Sequence, residues 1–386
     1  MNFGSIVWAA IQPILSILIM VAVGVALKKK NIYGQDVMKS LGVFALQFLA
    51  PCLMLTKTAS SISVNNIHQY LSIMLIAFIY QMYSFVAAFI IFYSTRKYLT
   101  PTFRKSLLSA MSFGNVGDFP IAILLTVGNA APFNPGDGDK GVAFITAILL
   151  IYYPLFFSLG IYWIESDYKS LKVEYPKIHA ELEPLQHEPE RPEKPKFWRH
   201  PLFRMIIVNP NIIGIVIGLC LGLVQPLNDV FVSSNGALFF IFNTLKTLGN
   251  AYIPIGLTLF GANLIYADFS IFKRLFGIAV ESTMATTIYI PIFIVVFTRL
   301  VISPILGIAF VTYLTNIGFI DPTNKILQFV LMTPMMMPMA QMNLVLSQIY
   351  HPKGKPQEMA TMVAICYCFA PISLVVSLSV AIYSLS

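Results

Sequence analysis

The chain has 386 residues, of which 57% are hydrophobic and only 11% are charged. A soluble domain carries about 25% charged residues, so this chain has too little polar side chain to cover a water-facing surface. The formal net charge of +8 does not indicate a nucleic-acid partner, because the basic residues are spread between hydrophobic runs and do not cluster on one face. The composition therefore predicts an integral protein of the lipid bilayer.

Ten apolar runs follow one another along the chain, each long enough to cross a bilayer as a helix. We predict spans over 5–27, 38–56, 69–95, 106–128, 141–164, 205–224, 237–265, 284–313, 326–350 and 359–383. The first run is read as a retained span and not as a cleaved signal peptide, because three lysines follow it and nothing basic precedes it. The expected fold class is an all-α polytopic membrane protein with ten transmembrane helices.

One long polar segment, rich in Glu, Lys and Pro, separates the chain into two hydrophobic halves. The predicted domains are an N-terminal five-helix repeat over 1–164, a polar loop over 165–204 and a C-terminal five-helix repeat over 205–386. Most of the 25 Lys and Arg residues fall in this loop or in loops on the same predicted side, which indicates that this side is cytoplasmic. We expect a disordered loop there, with both termini lumenal or extracellular.

Prolines interrupt the two halves at corresponding positions. Pro120 in the fourth span corresponds to Pro338 in the ninth, and Pro154 in the fifth to Pro371 in the tenth, at nearly the same separation. Because each half has an odd number of spans, the second half must enter the membrane from the opposite side. This pattern predicts two inverted repeats with a binding site at their interface. Coincidence is the alternative, since prolines are frequent in membrane helices.

The fourth and ninth spans contain residues that interrupt a helix, and we expect both spans to break and to cross near the midplane. Freed backbone groups are tolerated at that depth only where they face protein or a watery cavity. The residues predicted to form a substrate site are Asn115, Gly117, Asp118, Pro120, Pro338, Gln341 and Asn343. The alternative for the three amides is that they only hydrogen-bond the freed backbone of the crossing helices.

Asp118 is the one carboxylate deep within a predicted span, and intramembrane ionisable groups are functional candidates. We interpret it as a site for a coupling proton or sodium ion, or as a substrate contact. The alternatives are a helix-end cap and an ion pair with Lys246 or Arg299. Lys246 is expected to extend to the membrane interface, and Arg299 to pair structurally, with a gating role as its alternative.

No cofactor, metal or enzymatic activity is expected from the motifs. The methionines around Pro338 suggest a copper(I) site, but no Cys or His accompanies them, so we favour an adaptable apolar surface. The sequence has no phosphate loop, nucleophile elbow or zinc-protease motif. A single buried carboxylate without a paired nucleophile is poor equipment for catalysis.

Five short stretches then indicate a family: FLAPCL (48–53), GNVGDFP (114–120), NPNIIG (209–214), LGNAYIPIGL (248–257) and GANL (261–264). In this order they resemble the auxin efflux carrier superfamily, in particular its short-loop PIN-like members. The resemblance implies a scaffold domain and a mobile transport domain, with substrate bound where the broken helices cross and elevator-type alternating access. Such relatives usually have an amide where this chain has Asp118, and often paired prolines where it has Met337 and Pro338.

Together these observations predict a secondary transporter of a small amphipathic organic solute. Plant relatives carry the auxin indole-3-acetic acid, so a weak organic acid is expected, with a proton or a sodium ion as the candidate coupling ion. The resemblance favours the endoplasmic reticulum over the plasma membrane. The alternatives are a channel-like pore and a membrane scaffold or regulator that transports nothing. The oligomeric state stays open, with a homodimer as one alternative.

Overall fold

The computed structural model describes residues 3–62, 67–128, 132–174, 209–268, 270, 286–351 and 355–385. Within these ranges the regular structure is helical, and the only extended pairing is one isolated bridge. The helices of the first half are α1 (Phe3–Lys29), α2 (Gln35–Phe44), α3 (Ala50–Ser61), α4 (Ile67–Thr95), α5 (Arg104–Ser112), α6 (Asp118–Val127), α7 (Asp137–Leu155) and α8 (Ile161–Glu174).

The helices of the second half are α9 (Pro210–Leu223), α10 (Gln225–Phe231), α11 (Phe239–Asn250), α12 (Tyr252–Asn263), α13 (Tyr289–Phe297), α14 (Ser303–Asn316), α15 (Lys325–Met336), α16 (Met342–Tyr350) and α17 (Gln357–Leu385). Three π-helical turns, Ala45–Leu49, Phe156–Gly160 and Thr298–Ile302, join α2 to α3, α7 to α8 and α13 to α14. Turns of this kind insert an extra residue into a helix and are frequent at functional sites.

Six helical segments of the described chain are long and apolar enough to cross a membrane, and the pair α9 and α10, bent by 102°, is a seventh candidate. The six are Gln35–Ser61, Tyr70–Tyr98, Lys140–Lys169, Phe239–Tyr266, Thr286–Asn316 and Gln357–Leu385. The prediction of an all-α polytopic membrane protein is confirmed. The described residues of the ten predicted spans are mostly helical, and the fourth and ninth spans are pairs of short helices. The count of ten spans and the inverted repeat stay predictions.

The boundary predicted at residue 164, between the first half and the polar loop, falls within helix α8. Helix α8 continues through this boundary to Glu174, because the polar residues that follow it are compatible with helix. Lys169 and Glu165 lie one turn apart and form an ion pair of 2.7 Å that supports this end of the helix. Residues 165–174 of the predicted loop segment are thus helical, residues 175–204 lie outside the described residues, and the division into domains stays a prediction.

The helices pack into two groups. Helices α1–α3 and α9–α12 form what we call the flanking bundle, in which α3 packs against α9 and α11 and α1 packs against α12. Helices α4–α8 and α13–α17 form the crossing bundle, in which α4 packs against α5, α7 and α13. The two bundles meet where α1 contacts α6 and α17, and where α12 contacts α16.

A row of glycines in α9 brings the backbones of α9 and α3 close together. A Cβ atom added to Gly214 or Gly218 would lie 2.6 Å from a carbonyl oxygen of α3, and one added to Gly222 would lie 2.7 Å from the carbonyl oxygen of Ile62. Small residues spaced four apart permit this approach, which replaces the hydrophobic effect as the source of helix association in lipid. Larger side chains at these positions are therefore excluded.

Candidate functional site: the crossing of two broken helices

The fourth and ninth predicted spans both break, as expected. Residues 113–117 separate α5 from α6, and residues 337–341 separate α15 from α16. Gly114 and Gly117 weaken the first helix, and Pro338 lacks the amide hydrogen that would continue the second. Both interruptions are buried, so their freed backbone groups need partners inside the protein.

The two interrupted segments cross and hydrogen-bond to each other as an isolated antiparallel bridge. The Asn115 amide N–H donates to the Pro338 carbonyl at 2.7 Å, and the Ala340 amide N–H donates to the Phe113 carbonyl at 2.9 Å. Each interruption therefore supplies partners for the other. This reciprocity fixes the register of the crossing.

Other freed carbonyl groups accept hydrogen bonds from side chains of neighbouring helices. The donor and acceptor pairs are Gln81 Nε2 to the Ser112 carbonyl (3.2 Å), Tyr152 Oη to the Gly114 carbonyl, and Tyr367 Oη to the Met339 carbonyl (3.2 Å). These donors come from α4, α7 and α17, all in the crossing bundle. The side chain of Asn115 is thus not required to satisfy these carbonyls.

The amides of Asn115 and Gln341 form a small polar cluster with Tyr367. The Asn115 Nδ2 atom donates to Gln341 Oε1 at 3.2 Å and to Tyr367 Oη at 3.1 Å. The Tyr367 hydroxyl also lies 3.3 Å from Gln341 Oε1. Asn115 and Gln341 are each 5% exposed. The structure therefore brings together one predicted residue from each broken span.

A cavity of about 40 Å³ lies beside this cluster, between the two bundles. The crossing bundle contributes Asn115, Gly117, Gln341 and an aromatic wall from α7, and the flanking bundle contributes Tyr252 and Gly256 from α12. This volume holds only a few water molecules, whereas organic ligands occupy pockets of roughly 300–1,000 Å³. The cavity is therefore too small in this structure to hold an organic ligand.

The helix ends at the crossing give it a polarised environment. Helices α6 and α16 begin there, and their amino ends carry partial positive charge that favours an anion. Helices α5 and α15 end there, and their carboxyl ends carry partial negative charge. The crossing thus presents potentials of both signs within one small region.

The other predicted site residues have different surroundings. Gly117 precedes α6, and a Cβ atom there would lie 2.9 Å from Tyr153 Oη. Pro120 lies in the first turn of α6. Asp118 begins α6, but its side chain lies outside the described residues. Asn343 is fully buried and does not line the cavity. Its Oδ1 accepts a hydrogen bond from Ser109 Oγ at 2.8 Å.

The tyrosines of the site were not among the residues predicted from the sequence. Tyr367 and Tyr152 complete the crossing, and Tyr252 closes the cavity from the flanking bundle. The sequence did contain a signal for them, because a tyrosine hydroxyl within an apolar span usually has a hydrogen-bond partner.

The two basic residues within predicted spans differ in burial. Lys246, expected to extend to the interface, is exposed on α11. Arg299, expected to pair structurally, is 2% exposed and forms no ion pair with any described residue.

Broken helices that meet inside a polytopic membrane protein are an arrangement typical of secondary transporters. Residues 9–378 match the family of membrane transport proteins, and the chain belongs to this family, which includes the auxin efflux carriers. The resemblance predicted from the short stretches is therefore confirmed. The family is one of membrane transporters and not of enzymes.

Relatives from plants and yeast match different lengths of the chain. Protein PIN-LIKES 5 of Arabidopsis thaliana is 23% identical over 389 residues, which cover 91% of this chain and 92% of that protein. Protein ECM3 of Saccharomyces cerevisiae is 30% identical over 171 residues, 43% of this chain and 27% of that protein. An uncharacterized transporter of the same yeast is 28% identical over 173 residues, 45% of this chain and 30% of that protein. The match thus spans less than a third of either yeast relative.

Proposed function

We propose that this protein is a secondary carrier of a small amphipathic organic solute, a weak organic acid of the auxin type, and that it works by elevator-type alternating access. The observation that carries the proposal is the cavity beside Asn115 and Gln341, which lies at the crossing and at the boundary between the two bundles. A site at such a boundary becomes accessible from either side when one bundle moves against the other. The crossing bundle would be the mobile one, because it holds both broken helices.

The chemistry of the cavity supports an amphipathic acid. Tyr152, Phe156 and Phe157 offer aromatic surface to an apolar ring. The side-chain amides of Asn115 and Gln341 and the amino ends of α6 and α16 offer hydrogen bonds and partial positive charge to a carboxylate. Solute binding would require α12 to move, and this requirement links occupancy of the site to movement between the bundles.

Asp118 is our candidate for coupling to a proton or a sodium ion. It begins α6 at the crossing, close in sequence to Asn115. The carboxyl ends of α5 and α15 supply partial negative charge there, as at the cation sites of other transporters with broken helices. We further propose ten spans arranged as inverted repeats, a cytoplasmic 165–204 segment and residence in the endoplasmic reticulum. These follow from the charge pattern and the family resemblance.

The test is counterflow of labelled indole-3-acetic acid in proteoliposomes. A carrier shows accelerated labelled uptake when unlabelled solute is present on the opposite side, whereas a pore or a scaffold shows no acceleration. Gln341→Met should reduce the accelerated uptake at least tenfold, because it removes the acceptor of the Asn115 hydrogen bond. Uptake without acceleration would contradict the carrier proposal.

The matched control is Gln328→Met on the same broken span. Gln328 is as buried as Gln341, but its Nε2 donates to the Asp321 and Pro322 carbonyls at 3.1 Å, before the start of α15. Its replacement should lower stability without lowering the acceleration. If both variants lose uptake equally, the effect of Gln341→Met is one of folding and not of solute binding.

A further inference from the structure

A second cavity lies at the crossing, inside the crossing bundle and away from α12. It measures about 30 Å³ and is lined by residues of α4, α5, α7 and α15, of the first interruption and of the π-helical turn between α13 and α14. Arg299, on the π-helical turn between α13 and α14, is one of its lining residues. Its guanidinium packs against Gly114, where an added Cβ atom would lie 2.8 Å from Arg299 Nη2.

Four unsatisfied donors belong to residues that line this cavity. Among the described residues, Tyr80 Oη, Ser112 Oγ, Arg299 Nε and Arg299 Nη2 have no hydrogen-bond partner. All three residues are buried, with exposures of 7% for Tyr80, 1% for Ser112 and 2% for Arg299. An unsatisfied buried donor destabilises a protein, and the destabilisation is larger when the donor is charged. A bound hydrogen-bond acceptor would satisfy these donors.

The charge of Arg299 is also uncompensated within the described structure. The ion pairs found there are Lys140 with Asp137 and Lys169 with Glu165, and none of the described residues that line the cavity is a carboxylate. Buried intramembrane cations are expensive and almost always have a partner. The cavity is too small for an aromatic acid, but it can hold one or two particles of about the size of a water molecule.

We propose that this cavity binds one small inorganic anion of the halide type, held by Arg299 together with the hydroxyl groups of Tyr80 and Ser112. The anion neutralises the guanidinium and accepts the hydrogen bonds that the described protein leaves unmade. Because every lining helix belongs to the crossing bundle, the anion moves with that bundle. The cavity shares Gly114, Val116 and Tyr152 with the proposed solute cavity, but the three side chains proposed to hold the anion line only this one. The proposal does not depend on which solute is transported.

The test measures thermal unfolding of the purified protein in sodium chloride and in sodium gluconate at constant ionic strength. We expect Tm to rise with chloride along a saturating curve, since a ligand that binds the native state stabilises it. Arg299→Gln should raise the half-saturating chloride concentration at least tenfold, and Arg96→Gln, at an exposed arginine, should leave it unchanged. If Arg299→Gln does not fold, Ser112→Ala and Tyr80→Phe each remove one donor without removing charge.

Bromide provides the direct observation. An anomalous bromide peak between Tyr80, Ser112 and Arg299 in a soaked crystal would support the site, and water density there without a bromide peak would overturn it. Equal Tm curves in chloride and gluconate would also overturn it. If Tm rises with chloride in Asp118→Asn but not in the wild type, then Asp118 is the counter-charge of Arg299. That outcome would also overturn the anion proposal. Failure of counterflow leaves each of these outcomes unaffected.

Discussion

The contact between α3 and α9 and the crossing of the two broken helices are both buried helix contacts, but their chemistry is opposite. At α3 and α9, glycines bring two continuous helices together, and the main-chain hydrogen bonds stay within each helix. At the crossing, both helices are interrupted, and the freed groups bond across the contact or to side chains of neighbouring helices. The main chain at the first contact needs no hydrogen-bond partner from other helices, whereas the main chain at the crossing depends on several.

The distribution of unsatisfied polar atoms follows the same division. Most buried side-chain atoms without a partner in the described residues belong to the crossing bundle, including those of Ser112, Arg299 and Asn343. Asn211 and Asn263 are the exceptions in the flanking bundle. Unmade hydrogen bonds are binding energy that a ligand can recover. This difference agrees with our proposal, in which the crossing bundle binds ligands and the flanking bundle contributes stability.

The largest effect is expected from Gly218→Leu, which attacks the flanking bundle directly. The new side chain would begin 2.6 Å from the Leu55 carbonyl oxygen, so α3 and α9 must separate. Overpacking typically destabilises by about 1–3 kcal/mol, and a clash with backbone lies at or above that range. Gel filtration should show loss of the monodisperse protein. Val216→Leu adds a methylene group at an exposed position of the same helix and should leave the elution profile unchanged.

The next largest effect is expected from Asp118→Asn, on transport alone. If a proton is coupled, the variant should lose the pH dependence of flux in proteoliposomes, because an amide does not titrate in this range. Asp137→Asn is the control, because Asp137 is the first residue of α7, where it pairs with Lys140 at 3.0 Å. An unchanged pH profile in Asp118→Asn would remove this carboxylate from the mechanism.

A smaller effect, on the rate of counterflow, is expected to distinguish alanine substitutions at two glycines that line the same cavity. Gly117→Ala places a methyl group 2.9 Å from Tyr153 Oη, whereas Gly256→Ala places one 3.7 Å from the Met342 side chain, in ordinary contact. We expect Gly117→Ala to lower the rate of counterflow several-fold with a small change in Tm. Gly256→Ala should keep its Tm close to that of the wild type. Equal Tm losses would indicate that the two sides of the cavity are equally rigid.

The sequence predicted more of the crossing than of its surroundings. Gly, Asn and Pro residues within apolar runs identify the two interruptions, because each weakens a helix where lipid offers no alternative partner. Tyr152, Tyr367 and Arg299 come from other helices, and their approach to the crossing depends on packing that no local pattern encodes. Asn343 illustrates the converse, since its position in the interrupted span suggested the site but its side chain faces Ser109.

The smallest effect is expected from removing a side-chain cap at the amino end of a helix, and each bundle has one such cap. Asn324 Oδ1 accepts from the Leu327 amide at the start of α15, and Asn209 Oδ1 accepts from the Asn211 amide at the start of α9. Removing such a cap costs about 0.5–2 kcal/mol. Asn324→Ala should therefore lower Tm slightly without changing flux.

Asn209→Ala should lower Tm further than Asn324→Ala, because Asn209 Nδ2 also donates to the Phe157 carbonyl at 2.8 Å and so ties the flanking bundle to the crossing bundle. Asn324→Asp keeps the acceptor at a helix amino end and should restore the wild-type Tm. If Asn324→Ala were the more destabilising of the two alanine variants, stability would reside in the crossing bundle, contrary to the division drawn between the two contacts.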